Sequence, residues 1–98
     1  MLAGMRRRID RLDDRLLRLL NQRARLALEI GRIKKRRKWP VFDAAREASV
    51  LRHAVHANQG PLSGSSVRHI FQAILRACRR RERVSSKKKQ GQSIVHSP

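Results

Sequence analysis

The chain has 98 residues and carries 25 lysines and arginines against 7 aspartates and glutamates, a formal charge of +18. That length fits one small domain, and a chain so short buries little surface alone, which favours assembly into an oligomer. A single cysteine, Cys78, excludes an internal disulfide and a thiolate zinc cluster. No apolar run approaches the ~20 residues of a membrane span, and Met1 to Met5 lack the apolar stretch of a signal peptide; a cytoplasmic location away from membranes is the expectation. The basic excess points to an anionic partner, whether nucleic acid, an acidic membrane surface or a small polyanion, without choosing among them.

Aromatic residues are limited to Trp39, Phe42 and Phe71, so the core is aliphatic, a composition suited to helices. Ile9, Leu12, Leu16, Leu19, Arg23, Leu26, Ile30 and Ile33 recur at alternating steps of three and four, the spacing of a helical seam. This predicts one helix from about Arg6 to Lys38. At ~1.5 Å per residue it is roughly 45–50 Å long, too long for one small chain to cover, so its far half calls for a second copy. Pro40 ends it, after the basic run Lys34 to Lys38. Asp43 opens a second helix to about Ala57, with Val50, Leu51 and Ala54 among its apolar positions. Asn58-Gln59-Gly60-Pro61 is a stop and turn. Ser63 to Ser66 offer caps for a third helix, from about Ser65 to Arg83, whose stripe is Val67, Ile70, Phe71, Ile74 and Cys78. The sequence therefore divides into a domain over 1–84 and a basic tail, 85–98, without periodicity and expected to be disordered.

Polar residues stand where apolar ones belong. Arg23 interrupts the seam, and a guanidinium facing a core needs an anionic partner. Lys34 lies eleven residues on, only ~20° around the helix, so two cations share a face about three turns apart. The plainer reading is an internal Arg–Glu pair or a snorkelling arginine. Asp43, Arg46 and Glu47 project together at i, i+3 and i+4 from the second helix; the plainer reading is a helix cap with a surface ion pair. On the third helix Cys78 and Glu82 extend the apolar stripe. Cys78 reads plainly as a small core residue, and Glu82, the only acid after Glu47, as the partner of Arg79 or another nearby arginine. Together the three helices describe a largely cationic pocket with two or three carboxylates, suited to a small dianion carrying a hydroxyl. Apparatus for nucleophilic or metal-assisted chemistry is not visible: His53, His56, His69 and His96 are scattered.

The residues that break the pattern also carry a resemblance. Arg6-x-x-Ile9-Asp10-x-Leu12-Asp13-x-x-Leu16-x-x-Leu19-x-x-Arg23, Ala27-x-x-Ile30-Gly31-x-x-Lys34, Pro40-Val41-x-Asp43-x-x-Arg46-Glu47, Gly60-Pro61-Leu62-Ser63 and Ile70-Phe71 follow in order. From about Met5 to Glu82 the sequence resembles the all-helical (AroQ-class) chorismate mutases. The resemblance implies an all-α fold of three helices with one long N-terminal helix, an intertwined homodimer with two equivalent active sites, and a cofactor-free isomerase of aromatic amino acid biosynthesis (the shikimate pathway) converting chorismate to prephenate. By position, Arg6 reaches into the partner subunit's site, and Arg23 binds a carboxylate in its own. Lys34 contacts the ether oxygen and a carboxylate. Asp43, Arg46 and Glu47 form the wall for the ring hydroxyl and second carboxylate, while Cys78 and Glu82 stand where many members have serine and glutamine. Lys34, Glu82 and Arg23 are the expected catalytic set, and no metal is implied.

The implied chemistry suits this inventory. The rearrangement is a unimolecular [3,3] shift that needs no acid, base or nucleophile; it is assisted by holding the reactive conformer and by stabilising charge on the breaking ether oxygen. Glu82 can donate to that oxygen only when protonated, and Cys78 is a weaker donor than serine, so activity is expected to rise toward acidic pH. The rival reading is a basic helical nucleic-acid-binding module, which explains the charge, Arg79-Arg80-Arg81 and Lys87 to Lys89. It does not explain Arg23 in the seam or the paired carboxylates. Non-specific polyanion binding by the tail is compatible with either.

Overall fold

The computed structural model describes residues 1–87, and these form three helices: α1 (Leu2–Arg37), α2 (Ala44–Ala57) and α3 (Gly64–Lys87). With 36 residues, α1 sets the long dimension of a body measuring 52 × 32 × 14 Å. It starts at Leu2, four residues before the expected boundary, and ends at Arg37. Its end is fixed by Pro40, which disfavours helical geometry at Trp39. Lys38 turns left-handed (φ 59°, ψ 36°); its N–H donates to Lys35 O at 3.2 Å, and that of Trp39 to Lys34 O at 2.8 Å. Lys34, Lys35, Arg36 and Arg37 fill the last turn, where cations complement the helix dipole.

Asp43 caps α2, its Oδ1 accepting from the Arg46 N–H at 3.0 Å, the arrangement that satisfies an otherwise unpaired first-turn donor. After α2 the Asn58 side chain holds the turn, accepting from the Gly60 N–H at 3.1 Å and donating to Leu62 O at 2.8 Å. Gly60 adopts φ 81°, a conformation glycine takes without a Cβ penalty. Ser63 Oγ then caps α3 by accepting from the Ser66 N–H at 3.1 Å. The third helix runs to Lys87, past the expected end at Arg83, so residues 85–87, assigned from sequence to the tail, continue the helix. The rest of that tail, with Lys88, Lys89 and His96, lies outside the described residues.

α3 lies between the other two, packed against both, while the backbones of α1 and α2 do not approach closely. The depth of 14 Å is little more than one helix diameter with its side chains, about 10–12 Å. One chain is therefore a single layer. Its core is correspondingly thin: Ala27, Leu51, Ala54, Val67, Leu75 and Cys78, with Gly31. Of the stripe expected on α3, Val67 and Cys78 are buried, Phe71 and Ile74 half-buried and Ile70 exposed, and Leu75 joins the buried line. The apolar seam of α1, Ile9, Leu12, Leu16, Leu19, Leu26, Ile30 and Ile33, is exposed. Its inward side is instead a line of small residues, Ala27 and Gly31. A Cβ built on Gly31 would lie 2.6 Å from Glu82 O and 2.9 Å from Glu82 Cα, so the backbones of α1 and α3 are in contact there.

Candidate active site

The close crossing at Gly31 brings Lys34, one turn further along α1, against Glu82 of α3. Lys34 Nζ donates to Glu82 Oε1 at 2.8 Å and to the Val41 carbonyl at 2.7 Å. Both side chains are largely sheltered (17% and 15% exposed). The Val41 bond ties the α1–α2 connection to the same ammonium group. Glu82 is thus paired with a lysine 48 positions away, and not with Arg79 or a neighbouring arginine. Its partner is hidden from local reading because an i, i+3 arginine is an obvious candidate and the α1–α3 crossing is invisible in one dimension. Arg79 pairs with Glu47 instead, Nη1 to Oε2 at 2.6 Å.

A cavity of about 450 Å³ opens beside this pair, lined by Arg23, Lys34, Asp43, Arg46, Glu47, Cys78 and Glu82, with Leu26, Ala27, Ile30, Val41, Val50 and Leu75 as apolar walls. Its size and its combination of apolar walls with convergent polar groups are those of a small-molecule site. Seven of the eight site residues expected from sequence meet here. The eighth, Arg6, does not line the cavity; at 17 residues before Arg23 it stands about 25 Å away along α1. Residues that sequence reasoning did not single out are Val41, through its carbonyl, and Arg79, through Glu47. The Ala27–Gly31 spacing of small residues is the available signal for the crossing itself.

Asp43 fills both of its readings, capping α2 and lining the cavity. Cys78 is buried core and cavity wall together. The acids are committed, Glu82 to Lys34 and Glu47 to Arg79. Among the described residues Arg23 and Arg46 make no ion pair. Two guanidinium groups with unused donors therefore share one concave site, and each can grip a carboxylate in a two-pronged bond. Among the described residues, no helix is long and apolar enough to cross a membrane.

The comparisons agree with this geometry. The sequence pattern of the family described as Chorismate mutase type II matches residues 5–83. The chain is 40% identical over 83 residues to the bifunctional chorismate mutase/prephenate dehydratase of Stutzerimonas stutzeri, covering 79% of this chain and 22% of that protein. It is 40% identical over 82 residues to the protein of the same name from Pseudomonas aeruginosa, again with 79% and 22% covered. The chain thus spans about a fifth of the length of these curated relatives. Its fold is similar to that of chorismate mutase (form II) from Thermus thermophilus, with a TM-score of 0.82 and 33% identity over 84% of this chain and 93% of that one. The nucleic-acid-binding reading draws no support from any of these. Three helices, a cavity ringed by the pattern-breaking residues, and a match over 5–83 lead to one statement: the chain belongs to the chorismate mutase type II family.

Proposed function

We propose that the chain catalyses the rearrangement of chorismate to prephenate. The observation that carries this reading is the pair of uncommitted guanidinium groups, Arg23 and Arg46, in the same cavity as Lys34 and Glu82. Chorismate is a dianion with a ring hydroxyl and a breakable ether bond. In this reading Arg23 grips one carboxylate with help from Lys34. Arg46 and the Asp43–Glu47 wall receive the second carboxylate and the ring hydroxyl. Gripping both carboxylates holds the compact conformer from which the ether C–O bond breaks as the new C–C bond forms, and pre-organised positioning of this kind is a large part of what such a site can supply. No proton is transferred. Negative charge grows on the ether oxygen, and Lys34, fixed by the Val41 carbonyl, stabilises it.

The catalytic unit in this reading is a homodimer. The support is the one-layer shape of the chain and the exposed seam of α1, since stable domains close around two packed layers. A second copy laid on that seam brings its own Arg6 toward this chain's cavity, which α1 itself cannot do. The domain then comprises 1–84, and the role is an isomerase of aromatic amino acid biosynthesis.

The direct test is the fall of chorismate absorbance with purified protein, alongside Arg23→Ala. Losing a charged hydrogen bond made in the transition state lowers kcat/KM by about 100-fold or more. Wild-type protein that leaves chorismate unchanged would overturn the proposal.

A further inference from the structure

The Glu47–Arg79 pair joins the candidate active site to a second surface. Arg79 does not line the cavity, but Glu47 does. Arg79 Nη1 donates to Glu47 Oε2 at 2.6 Å, with the two side chains 20% and 23% exposed. The guanidinium also stacks on the Phe42 ring, 4.9 Å from its centroid. Phe42 follows Val41, whose carbonyl holds Lys34. Three segments of the chain meet in this clamp: the α1–α2 connection through Phe42, the first turn of α2 through Glu47, and α3 through Arg79.

A carboxylate near the start of a helix, on a side chain with three rotatable bonds, has many orientations open to it. An arginine fork packed on an aromatic face removes most of them, because the planar group is held by the ring as well as by the ion pair. Binding through Oε2 leaves Oε1 without a hydrogen-bond partner among the described residues, and therefore able to accept from a ligand hydroxyl.

We propose that Arg79 is a positioning residue, which acts through Glu47 to present one carboxylate oxygen to the ring hydroxyl of the substrate. This rests on the chorismate reading above. The hydroxyl stands on the ring carbon next to the breaking C–O bond but is itself neither broken nor formed; its contact with Glu47 is made in ground and transition states alike, so its loss appears mainly in KM.

The test compares wild type with Arg79→Met, Arg79→Lys and Phe42→Leu, using chorismate and an analogue that lacks the ring hydroxyl. Arg79→Met is expected to raise KM for chorismate about tenfold with kcat within about twofold, since hydrogen bonds to charged groups are worth about that factor or more. Arg79→Lys, which restores the charge without the fork, recovers part of the loss. For the analogue, wild type and Arg79→Met have the same KM. An unchanged KM for chorismate in Arg79→Met, a loss confined to kcat, or equal losses on both substrates would each overturn the proposal while leaving the chorismate reading intact. Wild-type protein without turnover overturns both. If Arg79→Met does not fold, Arg79→Lys and Phe42→Leu decide: a rise in KM limited to chorismate supports the role, and its absence refutes it.

Discussion

Gly31→Ala is the sharpest test of how this fold builds its site. The added Cβ would lie 2.6 Å from Glu82 O, 2.9 Å from Glu82 Cα and 3.2 Å from its carbonyl carbon. All three are backbone atoms, so no side-chain rotation relieves the clash. Reaching ordinary contact at 3.4 Å from the nearest atom requires α1 and α3 to separate locally by about 0.8 Å. Overpacking of this kind costs about 1–3 kcal/mol, and replacing glycine by alanine inside a helix returns about 1 kcal/mol. The net is a loss of up to roughly 2 kcal/mol, or as much as about 15 °C in Tm for a domain this small.

The functional effect exceeds the stability effect, because the displaced residue is Glu82, held 2.8 Å from Lys34. A shift approaching 1 Å in a catalytic group lowers kcat/KM by up to about 100-fold. The control is Gly64→Ala, where the new Cβ meets only Val55 Cγ1 at an ordinary 3.7 Å. Thermal unfolding followed by circular dichroism and the chorismate absorbance assay measure both effects. A Gly31→Ala protein with wild-type Tm and kcat/KM within twofold of wild type would refute the reasoning that α1 and α3 meet backbone to backbone at this point.

Three more outcomes follow from the site. The ion pair with Lys34 uses the Glu82 carboxylate, and a carboxylate offers no proton to an ether oxygen, whereas an amide N–H does. Glu82→Gln should therefore raise kcat/KM at neutral pH; an unchanged or lowered value refutes the role. Cys78→Ser places a stronger donor in the cavity wall, and KM should fall about two- to tenfold; an unchanged or raised KM would count against a contact between residue 78 and substrate. Arg6→Ala and Arg23→Ala proteins, each inactive alone, should regain about a quarter of wild-type activity when mixed and refolded together, because half the dimers are mixed and each has one intact site. No recovery, with dimers demonstrated by sedimentation, would show that Arg6 does not act across subunits.

Much of the fold is legible in the chain because its signals are local. The three-four spacing from Ile9 to Ile33, Pro40 and Asp43 mark one long helix, its end and the start of the next, and the observed boundaries fall within a few residues of those expected. The end of α3 is the exception, since Ser85, Ser86 and Lys87 have no helix breaker among them and simply extend the last turn. Arg23 and Lys34 can be recognised because cations stand out in an apolar periodicity. Arg79 cannot, since one more arginine beside Arg80 and Arg81 carries no signal of its own.

Apolar periodicity and the helix stops are thus enough to specify three helices, the polar interruptions mark seven residues of one cavity, and the ordered motifs carry the resemblance to the family. Local sequence cannot say which of two adjacent stripes on α1 meets its own chain. Size complementarity decides that: the narrow side of Ala27 and Gly31 admits α3 to backbone contact, and leaves the broad aliphatic seam facing outward. The ion-pair partners are fixed by the same crossing. Lys34 with Glu82 and Glu47 with Arg79 are separated by 48 and 32 positions, and charge pairs at such distance are set by where helices cross, which only packing in three dimensions determines.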